Sequence, residues 1–430
     1  MKNAFDKIIG YSEIKEELAQ IADALKNREI YRALGVSSPR GILLHGVPGV
    51  GKSLMANCLI EESKRQAYVC RKTEPDGEFV KTIKDIFDQA SANAPSIIFL
   101  DDMDKFANDD DNHPDAEEYV TVQSCIDEVK GSEVFVLATV NDMRKLPQSL
   151  IRAGRFDRVL KVDTPKGTDA VEIVRHYLSE KKLADDLDCE SVAGILSGYS
   201  CAVLETVMNK AGLIAGYQRA KSVTAEHVMD ACLQIAFQIP SSAFVPIDPD
   251  TFTSVSEIVW HEAGHAVVSE LVTPGSVALV LARSNDEGSG GVTKCKEIDQ
   301  KSAAKPWERD ILVSLAGRAA TEIRFGTLDS GASEDLKKVF RTVYMYIEDL
   351  CGSGFSLHEP TYSHSESMLE RQEAAAAAEV ERNYHRVKEM LCANRAFLDS
   401  VAQALAAKGV LTASDIRVIR ESCGVTKLAG

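Results

Sequence analysis

The pattern of apolar and polar positions changes character along the chain. Through residue 165, short continuous apolar runs alternate with amphipathic stretches. "GILLHG" (Gly41–Gly46), "AYVC" (Ala67–Cys70), "SIIFLDD" (Ser96–Asp102) and "VFVLATV" (Val134–Val140) have the length and continuity of strands buried on both faces. "GKSLMANCLIEESKR" and "FVKTIKDIFDQASA" between them carry helical spacing. Strands alternating with helices predict an α/β unit, a parallel sheet covered by helices.

From residue 166 to 238 the spacing is helical throughout, in "GTDAVEIVRHYLSEKK", "ESVAGILS", "SCAVLETVMNKAGLIAGYQRA" and "TAEHVMDACLQIAF". This reads as a small helical lid. "QIPSSAFVPIDPD" (Gln238–Asp250) interrupts it with prolines and serines, so residues 239–250 are the expected linker. Residues 251–430 are again mainly α-helical in pattern, apart from a strand-rich patch over Ala278–Lys296. The alanine tract in "QEAAAAAEVERNYHRVKEML" (Gln372–Leu391) favours helix, and "HEPTYSHSESM" before it reads as a loop.

Composition narrows the function. The 430 residues suffice for two or three domains with their own cores. A net charge of −16 speaks against a general nucleic-acid binder. Ten scattered cysteines without a CxxC pair fit free thiols in a reducing compartment. No apolar run is long enough to span a membrane, and the N-terminus lacks a signal-like apolar core. A cytoplasmic protein is the expectation.

Two segments carry chemistry. "GVPGVGKS" (Gly46–Ser53) fits GxxxxGK[ST] between a predicted strand and a predicted helix. Gly46, Val47, Pro48, Gly49, Val50, Gly51 and Leu54 would wrap phosphates with backbone N–H groups. Lys52 would meet the β- and γ-phosphates of ATP, and Ser53 would offer its hydroxyl to magnesium. The strand "IIFLDD" would bring Asp101 to magnesium and Asp102 to the attacking water.

The second segment is "SEIVWHEAGHAVVSELVTPG" (Ser256–Gly275). On a helix, His261 and His265 share one face a turn apart, as two ligands of one zinc must. Glu262 would deprotonate water at the metal and hand the proton to a leaving amine. Ser254 with Glu257 reads as a capping box, and Pro274-Gly275 as the stop. A third protein ligand is required, and spacing alone leaves Glu322, Asp335, His358 and His364 open.

The order of motifs resembles a known architecture. "FDKIIGYSEIKEEL", "GILLHGVPGVGKS", "APSIIFLDDMD", "ATVN" and "SLIRAGRFDRVL" resemble the AAA+ ATPase module over residues 4–235. That resemblance implies Asn141 as sensor of the γ-phosphate, and Arg152 and Arg155 as arginine fingers reaching a neighbouring subunit. It puts Ile9, Gly10 and His176 around the adenine. "HEAGHAVV", "GGVT", "LAGRAATEIRFG" and "GASEDLKK" resemble the peptidase domain of FtsH-type ATP-dependent zinc proteases, and in that family the third ligand is the acid standing here as Asp335.

The chain departs from the family in four respects. Asp102 stands where the family usually has glutamate, one methylene longer, so ATP hydrolysis is expected to persist but more slowly. The region "RKTEPDGEFVKTIKDIF" is shorter than the family's substrate-gripping pore loop, and Phe79, its nearest aromatic, reads equally as pore residue or helix-start core residue. The linker has prolines in place of an obvious glycine hinge. The stretch before the ATPase motifs is too short for the family's membrane anchor, so a form without it is expected.

Together these features imply a hexameric, ATP-driven zinc endopeptidase acting on protein substrates, with no nucleic acid. Tethering to a membrane by a partner stays compatible with the sequence. The rival readings are an unfoldase with a vestigial peptidase, a peptidase with a regulatory nucleotide domain, and, disfavoured by the acidity, a nucleic-acid motor.

Overall fold

A computed structural model describes residues 3–36, 39–73, 79–106, 116–147, 149–151, 154–239, 246–282, 290–296, 306–327, 331–354 and 366–426. The chain forms two compact units, Met1–Leu187 with Gly198–Thr224, and Asp188–Ser197 with Ala225–Gly430.

The first unit opens with α1 (Ser12–Lys26) and α2 (Arg28–Ala33), followed by β1 (Gly41–His45), α3 (Lys52–Ser63), β2 (Gln66–Cys70), α4 (Phe79–Ala92), β3 (Ser96–Leu100), α5 (Ala116–Glu128), β4 (Val134–Val140) and β5 (Arg158–Lys161). All five strands are parallel, in the order β2-β3-β4-β1-β5. The apolar runs make the interior of the sheet: every residue of β3 and β4 is buried, as is all of β1 except its last. Leu43, Ile98 and Val136 pack with Phe87 and Phe106 in one core. Phe79 belongs to that core. It is fully buried and meets the Phe106 ring edge-on at 5.3 Å, so its position is that of the helix-start core residue.

The expected lid consists of α6 (Gly167–Ser179), α7 (Cys189–Ile195), α8 (Cys201–Tyr217) and α9 (Ala225–Ile235). The two compact units share it, α6 and α8 falling in the first and α7 and α9 in the second.

The second unit continues with α10 (Ser254–Val272), β6 (Val277–Ala282), β7 (Gly291–Cys295), α11 (Pro306–Phe325), α12 (Ser333–Glu348), α13 (Glu366–Ala393), α14 (Arg395–Lys408), β8 (Val410–Thr412) and α15 (Ala413–Cys423). The strands form a small antiparallel sheet in the order β7-β6-β8. Trp260, Val267, Leu312, Leu315 and Phe397 lie in its core. Helices α10 and α11 approach closely because Gly264 has no side chain: a Cβ there would lie 2.4 Å from the Ala316 carbonyl oxygen. The cap of α10 differs from expectation. Thr253, not Ser254, is the N-cap, and its reciprocal partner is Ser256, not Glu257. Thr253 is one residue earlier and has the extended backbone a cap requires.

Among the described residues no helix is long and apolar enough to cross a membrane. All ten cysteines are free, and Cys58, Cys70, Cys125 and Cys232 are buried.

Candidate functional site

In the first unit, β3, β4 and β1 are neighbours, so the loops leaving their carboxyl ends converge. This is the edge of a parallel sheet where ligands bind. The turn after β1 needs its glycines: a Cβ on Gly46 would sit 2.0 Å from the Val162 carbonyl oxygen, and Gly49 and Gly51 have φ of 82° and 97°. Val50 is buried, while Val47, Pro48, Gly49 and Leu54 face solvent. The Lys52 ammonium lies within the loop and donates to Gly46 O (2.7 Å), Val47 O (3.0 Å) and Asn141 Oδ1 (2.9 Å). Burial pulls its pKa down, and the charges of Asp102, Asp104 and Asp101 oppose that pull.

Asn141 joins the parts. Its side-chain oxygen accepts from Lys52, its Nδ2 donates to Asp102 Oδ1 (2.9 Å), and its backbone N–H donates to Asp104 Oδ1 (3.0 Å). Asp102 adopts a left-handed backbone (φ 52°), and its Oδ2 accepts from Lys105 at 2.7 Å. Burial raises the Asp102 pKa, but the bonds from Lys105 and Asn141 outweigh it and hold the carboxyl below its usual range. Asp101 is buried and accepts at Oδ1 from Ser53 (3.2 Å) and Thr139 (2.8 Å). A buried carboxylate beside the hydroxyl that opens a helix is a hard-oxygen donor pair, which suits magnesium carried by a nucleotide.

The remaining expected nucleotide residues are dispersed. Gly10 has φ 68° and lies against Asp169 of α6, whose Oδ1 accepts the Tyr11 N–H at 2.9 Å. Ile9 is half-buried, and His176 is exposed near the end of α6. Arg155 is engaged within its own chain, donating to Asp127 of α5 from Nε (3.0 Å) and NH2 (2.5 Å) and also to the Ser149 carbonyl. Reaching another subunit would require release of that pair. Arg152 lies outside the described residues, as do His358 and His364.

In the second unit, the histidines of α10 meet the first turn of α12. His261 Nε2 and His265 Nε2 are 2.9 Å apart, and each is 3.2 Å from Asp335 Oδ2. Ligands of a tetrahedral zinc, bound at about 2.0–2.1 Å, stand roughly 3.3 Å from one another. The donor set and its spacing therefore fit zinc. His265 Nδ1 faces the Val313 carbonyl oxygen at 2.7 Å, so Nδ1–H donates there and Nε2 keeps its lone pair for a metal. Burial would raise the Asp335 pKa, but its bonds to His261 and His265 prevail and hold it well below the carboxylate range. Helix α12 has Ala332 at its N-cap with no side-chain cap, and Ser333 is its first residue.

Glu322, the other acid that spacing allowed, turns elsewhere. Its carboxylate accepts from Tyr384 (2.5 Å) and Lys388 (2.8 Å) of α13. Glu262 is buried beside the histidines, and its Oε2 accepts from Thr293 of β7 at 2.7 Å. Burial raises its pKa, and His265 and His261 pull it back.

Sequence reasoning missed the residues that shape this pocket. A Cβ on Gly317 would fall 2.5 Å from His261 Cε1, and one on Gly291 would fall 2.6 Å from Glu262 Cγ. Glycine is thus required where α11 and β7 back the two functional side chains. The small-residue run "LAGRAA" carried that signal for Gly317, and "GGVT" contains Gly291 and Thr293 but does not show that they meet Glu262.

Comparison with known proteins finds a family match in each half of the chain. Residues 42–164 match the ATPase family associated with various cellular activities (AAA), and residues 253–419 match peptidase family M41. The chain is 28% identical to the ATP-dependent zinc metalloprotease FtsH of Leptotrichia buccalis, over 96% of this chain and 56% of that protein. It is 29% identical to the FtsH of Ureaplasma parvum, over 93% of this chain and 58% of that one. It is 30% identical to the chloroplastic FTSH 5 protease of Arabidopsis thaliana, over 94% and 62%. The chain spans a little over half the length of these relatives. Its resemblance to FtsH-type proteases, read from the motifs, is borne out.

Proposed function

From a chain that joins an AAA ATPase domain to an M41 peptidase domain, we infer an ATP-dependent zinc endopeptidase that unfolds protein substrates and cleaves them. The observation that carries this reading is the convergence of His261, His265 and Asp335 beside the buried Glu262. These three residues would hold the metal. Zinc bound there supplies a Lewis acid for the scissile carbonyl and the attacking water. Glu262 takes the proton from that water and passes it to the leaving nitrogen. Thr293 fixes one carboxylate oxygen so that the other stays available.

The substrate class follows from β7. It is an edge strand, paired with β6 and, among the described residues, with no other strand. Gly291 and Thr293 on it touch Glu262, so an extended peptide added along β7 would lay its backbone across the site. A folded protein cannot do this until it is unfolded, at a cost of about 5–15 kcal/mol. Supplying that work is the role proposed for the nucleotide site. Lys52 and the glycine loop bind the phosphates of ATP, Ser53 and Asp101 hold magnesium, Asn141 reads the γ-phosphate, and Asp102 orients water. Ile9, Gly10 and His176 flank the base. A hexameric ring is proposed because an arginine acting in trans, Arg152 with or without Arg155, demands a neighbour.

The test is degradation of a loosely folded protein by the purified chain with zinc and magnesium. Cleavage that stops without ATP, in Lys52→Ala and in Glu262→Gln supports the coupled protease. Cleavage indifferent to ATP and Lys52 would leave a peptidase with a regulatory nucleotide domain. One observation favours that second reading: the carboxylate of Asp102 is already taken by Lys105 and Asn141. ATP turnover without cleavage would leave an unfoldase.

A further inference from the structure

Asp101 is engaged by protein at both oxygens. Ser53 and Thr139 hydroxyls occupy Oδ1, and the guanidinium of Arg71 occupies Oδ2 through Nε at 2.9 Å and through a second, closer nitrogen. The hydroxyl partners are neutral, and the guanidinium is not. Arg71 is the first residue after β2, and 62% of its side chain is exposed although its partner is 1% exposed. Lys72, the next residue, pairs with the buried Glu118 of α5 at 3.2 Å. The exit of β2 is thus pinned by adjacent cations to two different elements, one of them the magnesium carboxylate of the site proposed above.

A divalent cation and a guanidinium repel each other and cannot both take Oδ2 at contact distance. The guanidinium is the one that can leave. Its stem is flexible and largely in water, so its release exposes little that was buried. Ser53 and Thr139 can keep Oδ1 while it goes. We propose that Arg71 is a displaceable counter-ion of Asp101, expelled when magnesium arrives with ATP, so that the end of β2 is tied to the nucleotide site when it is empty and released from that site when it is loaded, while Lys72 stays on Glu118. This rests on the reading of Asp101 as the magnesium carboxylate. Arg71 is then a positioning residue: it sets how much magnesium the site requires and ties the end of β2 to the loading of the site.

The test compares the full chain with Arg71→Met, which keeps the apolar stem, and Arg71→Lys, which keeps a charge. Binding of a fluorescent ATP analogue is followed as magnesium is titrated. The magnesium midpoint should fall about threefold or more in Arg71→Met, the equivalent of losing a half-exposed competing ion pair, and stay near wild type in Arg71→Lys. Without nucleotide, Arg71→Met should melt lower than wild type in chelator and recover with millimolar magnesium, while wild type should be indifferent to it. An unchanged or raised midpoint in Arg71→Met overturns the proposal. So does a loss of ATP affinity at saturating magnesium that spares ADP, because Arg71 would then touch the γ-phosphate. If wild type binds no nucleotide at any magnesium concentration, the nucleotide-site reading itself fails and takes the proposal with it.

Discussion

Gly317→Ala should separate zinc binding from folding. A Cβ at position 317 would lie 2.5 Å from Cε1 and 2.6 Å from both nitrogens of the His261 ring. That is about 1 Å inside van der Waals contact. Helix α11 has little room to retreat from α10, because its other sides pack against α12 and α13. The ring must therefore move. Site geometry tolerates displacements of only about 0.5 Å, so His261 should leave its 3.2 Å approach to Asp335. A loss of about 10–100-fold in zinc affinity is expected, roughly 1.4–2.8 kcal/mol. The fold should survive, since alanine within a helix is favoured over glycine by about 1 kcal/mol, which offsets part of the strain. Competition for zinc against a chromophoric chelator measures the affinity, and circular dichroism and ATP turnover report on the rest. Wild-type zinc affinity in Gly317→Ala would refute the packing argument.

Other outcomes follow from the same geometry. Glu262→Gln should lower peptide cleavage by about 10²–10⁴-fold while zinc content, read by atomic absorption, stays at one per chain. Asp335→Asn should lose zinc, whereas Glu322→Gln should keep it and lose only about 1 kcal/mol of thermal stability from its bonds to Tyr384 and Lys388. Asp127 has a carboxyl held well below its usual range, chiefly by hydrogen bonding to Arg155. A depressed carboxylate stabilises the fold above its unfolded pKa of about 3.9 and loses that contribution as pH falls through the folded value. The melting temperature of Asp127→Asn should therefore lie slightly below wild type at pH 7, and the gap should close under acid. Exposure of the Asp127 side chain, 39%, keeps that gap below about 1 kcal/mol.

Continuous burial made three strands plain, whereas β2, expected to be buried on both faces, lies at the sheet edge with only Cys70 buried. β1, β3 and β4 are buried nearly end to end, and their apolar runs showed it. β5 was not foreseen, because Arg158–Lys161 is largely exposed and half cationic at the sheet edge. β8 is three residues long, too short for alternation to be read. The two histidines were legible because four residues make a helical turn. Their third partner was not, because the approach of α12 to α10 depends on packing at a distance in the chain. Spacing left Glu322 and Asp335 equal, and the direction of α11 separates them by turning Glu322 toward Tyr384. Arg71 had no motif to announce it. Only the parallel pairing of β2 with β3 brings it to Asp101.

The most direct test of the coupling is to present one reporter protein in two forms, tightly folded and permanently unfolded, to wild type and to Lys52→Ala. Cleavage of the unfolded form should need zinc and Glu262 but survive loss of Lys52, while cleavage of the folded form should need all three and ATP. Equal cleavage of the folded reporter by wild type and Lys52→Ala would contradict the claim that nucleotide turnover delivers substrate to the zinc site.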